Sequence, residues 1–206
     1  MTLRVSALDG SVSITAPSRL PMRDIEAFVL EKEAWLLDKV SAMPEQVPVT
    51  FDTAIPINGV LHDIVSSAVK RMEISEKQLR IPSHTKAPGA RALAFIKTLA
   101  RDHIVEEADF YVKALGLPYA KISLRDAKSR WGSCTDQGAM MFSWRLIMAP
   151  PKVLSYVVAH EVAHLRHMNH SVRFWNELRS LFGEYREQRQ WLRENGSNLH
   201  QYKFKD

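Results

Sequence analysis

Cysteine is nearly absent from this chain: Cys134 is the only one among 206 residues. No internal disulfide can form, and a cysteine-rich zinc finger is excluded because the thiolates are not there. Long apolar runs are missing too, and none approaches the ~20 residues needed to span a bilayer. The opening Met-Thr-Leu-Arg-Val-Ser lacks the basic region and apolar stretch of a signal peptide. Repeats and low-complexity tracts are also lacking. These absences lead us to expect a protein of the reducing cytoplasm with no membrane association.

What is present is ordinary for a globular chain: 46% hydrophobic and 25% charged residues. The length allows one large domain or two small ones. The net charge of +5 is uneven. Residues 1–88 hold 10 Lys+Arg and 11 Asp+Glu, whereas residues 89–206 hold 18 and 12. Such an excess admits weak, salt-sensitive nucleic-acid association and falls short of a concentrated basic arm.

Patterning suggests a β-rich N-terminal region with one helix over residues 1–88. Leu3–Leu8 and Ser11–Thr15 flank Asp9-Gly10, a hairpin signal. Pro21 opens a helical stretch with Ile25, Phe28, Val29, Leu36 and Val40 on one broad face. Short alternating runs follow at Val47–Phe51, Leu61–Val69, Met72–Ser75 and Gln78–Ile81, with a second turn signal at Asn58-Gly59. They read as a twisted, mostly antiparallel sheet without chemistry. Residues 82–89 are the most linker-like stretch, so a second domain is expected over 89–206. There, Ala90–Leu115 has helical period and Gly116 sits where a C-cap glycine belongs. Tyr119–Arg125 reads as a strand, residues 127–138 as a polar loop and Ala139–Leu146 as a second strand. A helix from about Pro151 to Met168 follows, then an amphipathic stretch from Ser171 to Glu194 that Gly183 can break. The tail 196–206 reads as polar and loosely packed. The fold class expected is α+β.

The helix after Pro151 carries the chemistry. Residues 160–170 read His-Glu-Val-Ala-His-Leu-Arg-His-Met-Asn-His. On a helix, His160 and His164 project from one face a turn apart and can hold one zinc ion. Val153, Tyr156 and Val157 form an apolar stripe leading into them, so the pair belongs to the buried side. If the chain turns back after Asn169, His170 supplies a third nitrogen. His167 competes for that place, but a third ligand on the same straight helix would lie too far from His160. Three protein ligands leave a fourth position for water, the pattern of a catalytic zinc. Glu161 suits the role of general base toward that water, whose pKa the zinc lowers. Arg130, Arg145 and Tyr156 are candidate transition-state or substrate contacts. The simpler reading of each arginine is a surface or carboxylate-paired residue, and of Tyr156 a core residue. Cys134 could ligate the metal, although a small buried thiol in a tight turn is the simpler role. Trp131 and Trp175 read as packing residues that brace the loop and the turn.

Three segments carry a family resemblance: Arg130-Trp131-Gly132-Ser133-Cys134; Trp144-Arg145-Leu146 with Ala149-Pro150; and Tyr156 through His164, continuing in Asn169-His170 and Phe174-Trp175. Together they resemble the YgjP-like metal-dependent hydrolases, relatives of the WLM and SprT-type zinc metalloproteases. The resemblance implies a zincin-like metalloprotease fold with the HExxH helix under a small, mostly antiparallel sheet. It implies His160, His164 and His170 as zinc ligands and Glu161 as catalytic acid/base. Position 167 is His where metzincins have Gly, and no methionine turn follows, so secreted metzincins are not indicated.

The function expected is therefore a zinc-dependent hydrolase, a metallopeptidase acting on peptides or unfolded proteins. The alternative is a zinc-stabilised nucleic-acid- or protein-binding module without catalysis. For the peptidase, Ala139–Leu146 is expected to be the strand at the cleft edge. Met140, Phe142, Trp144 and Leu146 should then face the core, and Ala139, Met141, Ser143 and Arg145 the cleft or solvent. An extended substrate could add to that edge.

Overall fold

The computed structural model of the chain describes residues 1–6, 11–41 and 45–204. Two compact units are present, Met1–Gln46 and Val47–Asp206. In the first, β1 (Thr2–Val5) pairs antiparallel with β2 (Val12–Thr15), with Thr2 opposite Thr15 and Val5 opposite Val12. The Asp9-Gly10 turn expected between them lies outside the described residues. The helical stretch after Pro21 forms two helices, α1 (Met22–Glu31) and α2 (Glu33–Ser41). Lys32 separates them with non-helical dihedrals, its N–H bonded three residues back to Val29.

The second unit begins with β3 (Val47–Pro48), β4 (Ala54–Ile57), β5 (Val60–Ser67), β6 (Glu73–Ser75) and β7 (Gln78–Pro82). The last four form one sheet in the order β4-β5-β7-β6. Its outer pairs are antiparallel and the central β5–β7 pair is parallel. Asn58 and Gly59 both take positive φ, as a two-residue hairpin turn requires. Alternation does not reveal β4. Its Pro56 would interrupt a central strand, and β4 stands at the sheet edge where proline is tolerated.

The long helix α3 (Pro88–Leu115) buries Leu93, Ile96, Ala100, Ile104, Ala108 and Leu115, the helical-period set. It ends at Gly116, which takes the left-handed conformation and donates its N–H to Val112 at 2.8 Å. Ile55, Ile57, Ile64, Leu79 and Ile81 of the sheet belong to the same buried cluster as this helix face. The linker-like stretch 82–89 thus lies inside the second unit.

A smaller sheet orders β8 (Lys121–Arg125), β10 (Ala139–Ser143) and β9 (Gly132–Cys134), with β10 in the middle. It is mixed, since β10 runs parallel to β8 and antiparallel to β9. Two expectations about residues 139–146 are overturned here. The segment is the central strand, so both its edges are already paired. It also ends at Ser143, and Trp144–Met148 form a 3-10 turn whose five residues are all buried. Alternation fails there because that turn is surrounded on every side; Ser143 and Arg145 are 0% and 6% exposed and do not face the cleft or solvent. The edge strands beside β10 are β8 and β9, and β9 comes from the segment read as a polar loop. Gly-Ser-Cys carries no hydrophobic alternation, and pairing with β10 alone makes it a strand.

Helix α4 (Pro151–Ala163) starts with proline in its first turn and ends five residues before the expected limit. It is followed by α5 (Val172–Phe182) and α6 (Arg186–Asn195), parted at Gly183 with φ 92°. As far as Phe204 the tail is not loose. A 3-10 turn (Gly196–His200) leads into β11 (Tyr202–Lys203), which pairs parallel with β3. Leu199, His200, Tyr202 and Phe204 are buried, and Phe204 meets Trp144 edge-on at 5.5 Å. No helix among the described residues is long and apolar enough to cross a membrane.

Candidate metal centre

The apolar face of α4 is packed into the core, with Val158, Ala159, Val162 and Ala163 fully buried. That packing fixes where the helix end points. His160 and His164 leave the same face at its last turn, and the chain then reverses through residues 164–170. This brings His170 back over the helix. One ring nitrogen from each of His160, His164 and His170 lies within 4.8 Å of the others. His160 Nε2 and His170 Nε2 are 3.0 Å apart. Ligands at tetrahedral corners around an ion with bonds of about 2.0–2.1 Å stand roughly 3.3 Å apart, the same scale. The ring of His164 is fixed from behind, since its Nδ1 lies 2.9 Å from the His167 carbonyl. A proton on that nitrogen leaves Nε2 free as a donor to a metal. The buried Nδ1 of His160 has no hydrogen-bond partner.

Electrostatics agree with the geometry. Burial, then the neighbouring His164 and His170, lowers the His160 pKa to about 3. His164 is lowered as well, chiefly by burial. Neutral imidazoles keep the lone pairs that a metal needs. Glu161 is 6% exposed. Burial raises its pKa to about 8 against the opposing pull of Arg130.

His160, Glu161, His164 and His170 share a cavity of about 450 Å³ with Arg130, Gly132, Ser133, Cys134 and Met168. Gly132 of β9 lies so close that a Cβ there would meet Glu161 Cγ and Oε1 at 2.6 Å. The contact places β9 directly against the carboxylate. A second, smaller cavity of about 160 Å³ adjoins it, walled by Trp131, Tyr156, Val157 and Leu192 and reaching His160 and Glu161.

An aromatic column backs the third histidine. His170, itself exposed, stacks on Trp175 at 5.5 Å and 28°, Trp175 on Tyr185 at 5.4 Å, and Tyr185 on Tyr156 at 5.9 Å. Arg189 caps Trp175 at 5.3 Å.

Of the candidate contacts, Arg130 lines the larger cavity and Tyr156 the smaller. Arg145 lines neither. Its guanidinium grips Asp126 through two bonds, 2.7 and 3.2 Å, and donates to the carbonyls of Leu199 and Tyr202. The carboxylate-paired alternative therefore describes it. His167 offers its backbone oxygen to His164, and its ring faces Glu177 at 3.8 Å. Cys134 sits half-buried on β9, not in a tight turn, with burial and Glu161 raising its pKa to about 11. Among the described residues, the metal-ligating cluster consists of the three histidines alone. The closeness of Gly132 to Glu161 leaves no trace in the sequence beyond a glycine inside the expected loop.

A buried carboxylate beside three convergent imidazoles is the kind of site that metal-dependent hydrolases use. The sequence profile of the YgjP-like family, described as "YgjP-like, metallopeptidase domain", matches residues 1–195. The chain belongs to this family and is a metal-dependent hydrolase, which displaces the non-catalytic binding module. No curated protein matches the chain. Among solved structures, the metallopeptidase zymogen of Pyrococcus abyssi abylysin is similar at 21% identity and a TM-score of 0.40, over 45% of this chain and 92% of that one.

Proposed function

We propose that this protein is a zinc metallopeptidase of zincin-like architecture, with His160, His164 and His170 as ligands and Glu161 as general base. The observation that carries the reading is the convergence of three imidazole nitrogens within 4.8 Å in a cavity that Glu161 also lines. Three nitrogen donors with room for a fourth group suit zinc in its catalytic mode. Bound there, zinc supplies Lewis acidity toward a scissile carbonyl and toward water. Glu161 removes a proton from the attacking water and returns it to the leaving amine. Arg130 stands at the cavity wall, where a cation can meet charge developing on the carbonyl oxygen.

The substrate-binding edge moves from β10 to β9. β9 has β10 on one side only, and its residues line the cavity. An extended peptide adding to β9 would run past Glu161, and the apolar cavity of Trp131, Tyr156 and Leu192 would take one of its side chains. Recognition through backbone hydrogen bonds favours unfolded or extended segments over folded proteins. All these groups come from the 89–206 region, which we assign as the metallopeptidase domain. The single free thiol, Cys134, fits a cytoplasmic setting.

The test is Glu161→Gln. The variant should bind one zinc per chain and keep the wild-type melting profile, while hydrolysis of casein or an unfolded peptide falls by several orders of magnitude. Wild-type turnover by the metal-loaded variant would refute the reading.

A further inference from the structure

The start of α3 presents a second site that the hydrolytic chemistry does not use. Residues 68–98 hold seven Lys+Arg against two Asp+Glu. This one stretch therefore carries as much net charge as the entire chain. Both local carboxylates are engaged, since Arg80 reaches Glu73 at 3.8 Å and Glu76 at 3.7 Å. The fold then gathers four of the remaining six cations, Lys70, Arg71, Lys86 and Arg91, around two adjoining cavities of about 560 and 280 Å³.

The cavities share His84, Thr85 and Arg91; Lys86 completes the larger, and Lys70 and Arg71 the smaller. No carboxylate lines either one. Among the described residues, the side chains of Lys70, Arg71, Lys86 and Arg91 have no ion-pair or hydrogen-bond partner. Ala87, Ala90 and Ala94 give the larger cavity an apolar floor. The connecting wall is held by backbone bonds, Ser83 N–H to Ser67 at 2.9 Å and Thr85 N–H to Pro82 at 3.0 Å.

Like charges gathered around a concavity repel one another, and a polyanion relieves that repulsion while gaining their attraction. A single small anion would satisfy one cavity and leave the other. Guanidinium forks match phosphate oxygens in pairs, and lysine adds point charge. The apolar alanine floor accepts a sugar or a base. We infer that these two cavities form one binding site for linked phosphate groups, carried either by a free nucleotide or by a polynucleotide backbone. An acidic peptide lacks this charge density per group and is the outcome the site disfavours.

Binding to the metal-loaded full chain distinguishes the cases. The probes are ADP and tripolyphosphate by calorimetry, and a labelled 12-nucleotide single strand by anisotropy, at low and physiological salt. Arg71→Glu combined with Arg91→Glu should weaken binding at least tenfold, with zinc content and melting temperature unchanged. Lys113→Glu combined with Lys121→Glu makes the same charge change away from the site and should leave affinity within about twofold. ADP and tripolyphosphate binding as tightly as the oligonucleotide identifies the free-nucleotide source. An oligonucleotide preference that collapses as salt rises identifies the polynucleotide backbone. The inference is overturned if no phosphate probe binds at low salt, if the Arg71/Arg91 reversal leaves affinity unchanged, or if poly-glutamate binds as tightly as the phosphate probes. Because zinc content is read separately, failure here leaves the peptidase reading standing, and failure of Glu161→Gln leaves this site standing.

Discussion

Replacing Gly132 with alanine should damage catalysis without touching a metal ligand. The added Cβ would fall 2.6 Å from Glu161 Cγ and Oε1 and 2.9 Å from Cδ. Carbon atoms at rest stay about 3.5–4.0 Å apart, so something must retreat by roughly 1 Å. The strand cannot easily do so, since Gly132 is paired opposite Phe142 and Ser143 N–H bonds to the Trp131 carbonyl at 2.8 Å. The helix cannot either, because Val158, Ala159, Val162 and Ala163 are fully buried. The movable part is the Glu161 side chain. A misplacement of about 1 Å in a catalytic group costs on the order of 100-fold in rate, or about 2.7 kcal/mol in activation free energy. Overpacking adds a stability cost of about 1–3 kcal/mol, which in a chain this long lowers the melting temperature by several degrees. The assay is kcat on a quenched-fluorescence unfolded peptide, with zinc content and melting measured on the same preparation. Activity should lie between wild type and Glu161→Gln, at one zinc per chain. Full activity in a folded, metal-loaded Gly132→Ala variant would refute the argument that β9 positions the base.

Three further outcomes follow from the same geometry. His170→Ala should strip zinc markedly, whereas His167→Ala should not, because His167 serves His164 through a backbone oxygen that alanine retains; metal analysis after dialysis decides it. Arg145→Ala should destabilise the fold by about 1–3 kcal/mol by leaving two buried carbonyls and the half-exposed Asp126 without their partner, yet leave kcat/KM of the folded fraction near wild type; a selective loss of kcat/KM at unchanged stability would restore it as a substrate contact. Burial, then Arg145, holds the His200 pKa at about 4, below its ordinary 6.5. The unfolded chain thus binds more protons between those values, and stability should be full above pH 6.5 and fall as pH drops toward 4, by on the order of 1–2 kcal/mol once partial hydration is allowed for. His200→Phe should flatten that window in pH-dependent denaturant melts, and an unchanged slope would exclude His200 as its source.

The sequence alone determined the features that depend on local spacing. The i, i+4 histidines, the helical period of α3, the cap at Gly116 and the break at Gly183 all follow from periodicity or backbone preference within a few residues. What only the tertiary structure decided depends on groups distant in the chain. β9 is a strand because β10 lies beside it, since Gly-Ser-Cys has no pattern of its own. The residues after Ser143 leave the alternating pattern because the whole 3-10 turn is buried and no face of it remains for polar positions. The polar-looking tail is ordered because Arg145, 54 residues before Leu199, captures its carbonyls and β3 offers an edge. Lys70, Arg71, Lys86 and Arg91 meet around two adjoining cavities only because the fold brings the connection after β5 beside the one between β7 and α3. Spacing along the chain can name ligands on one helix; which strand lies against Glu161 is settled by packing between segments that spacing does not relate.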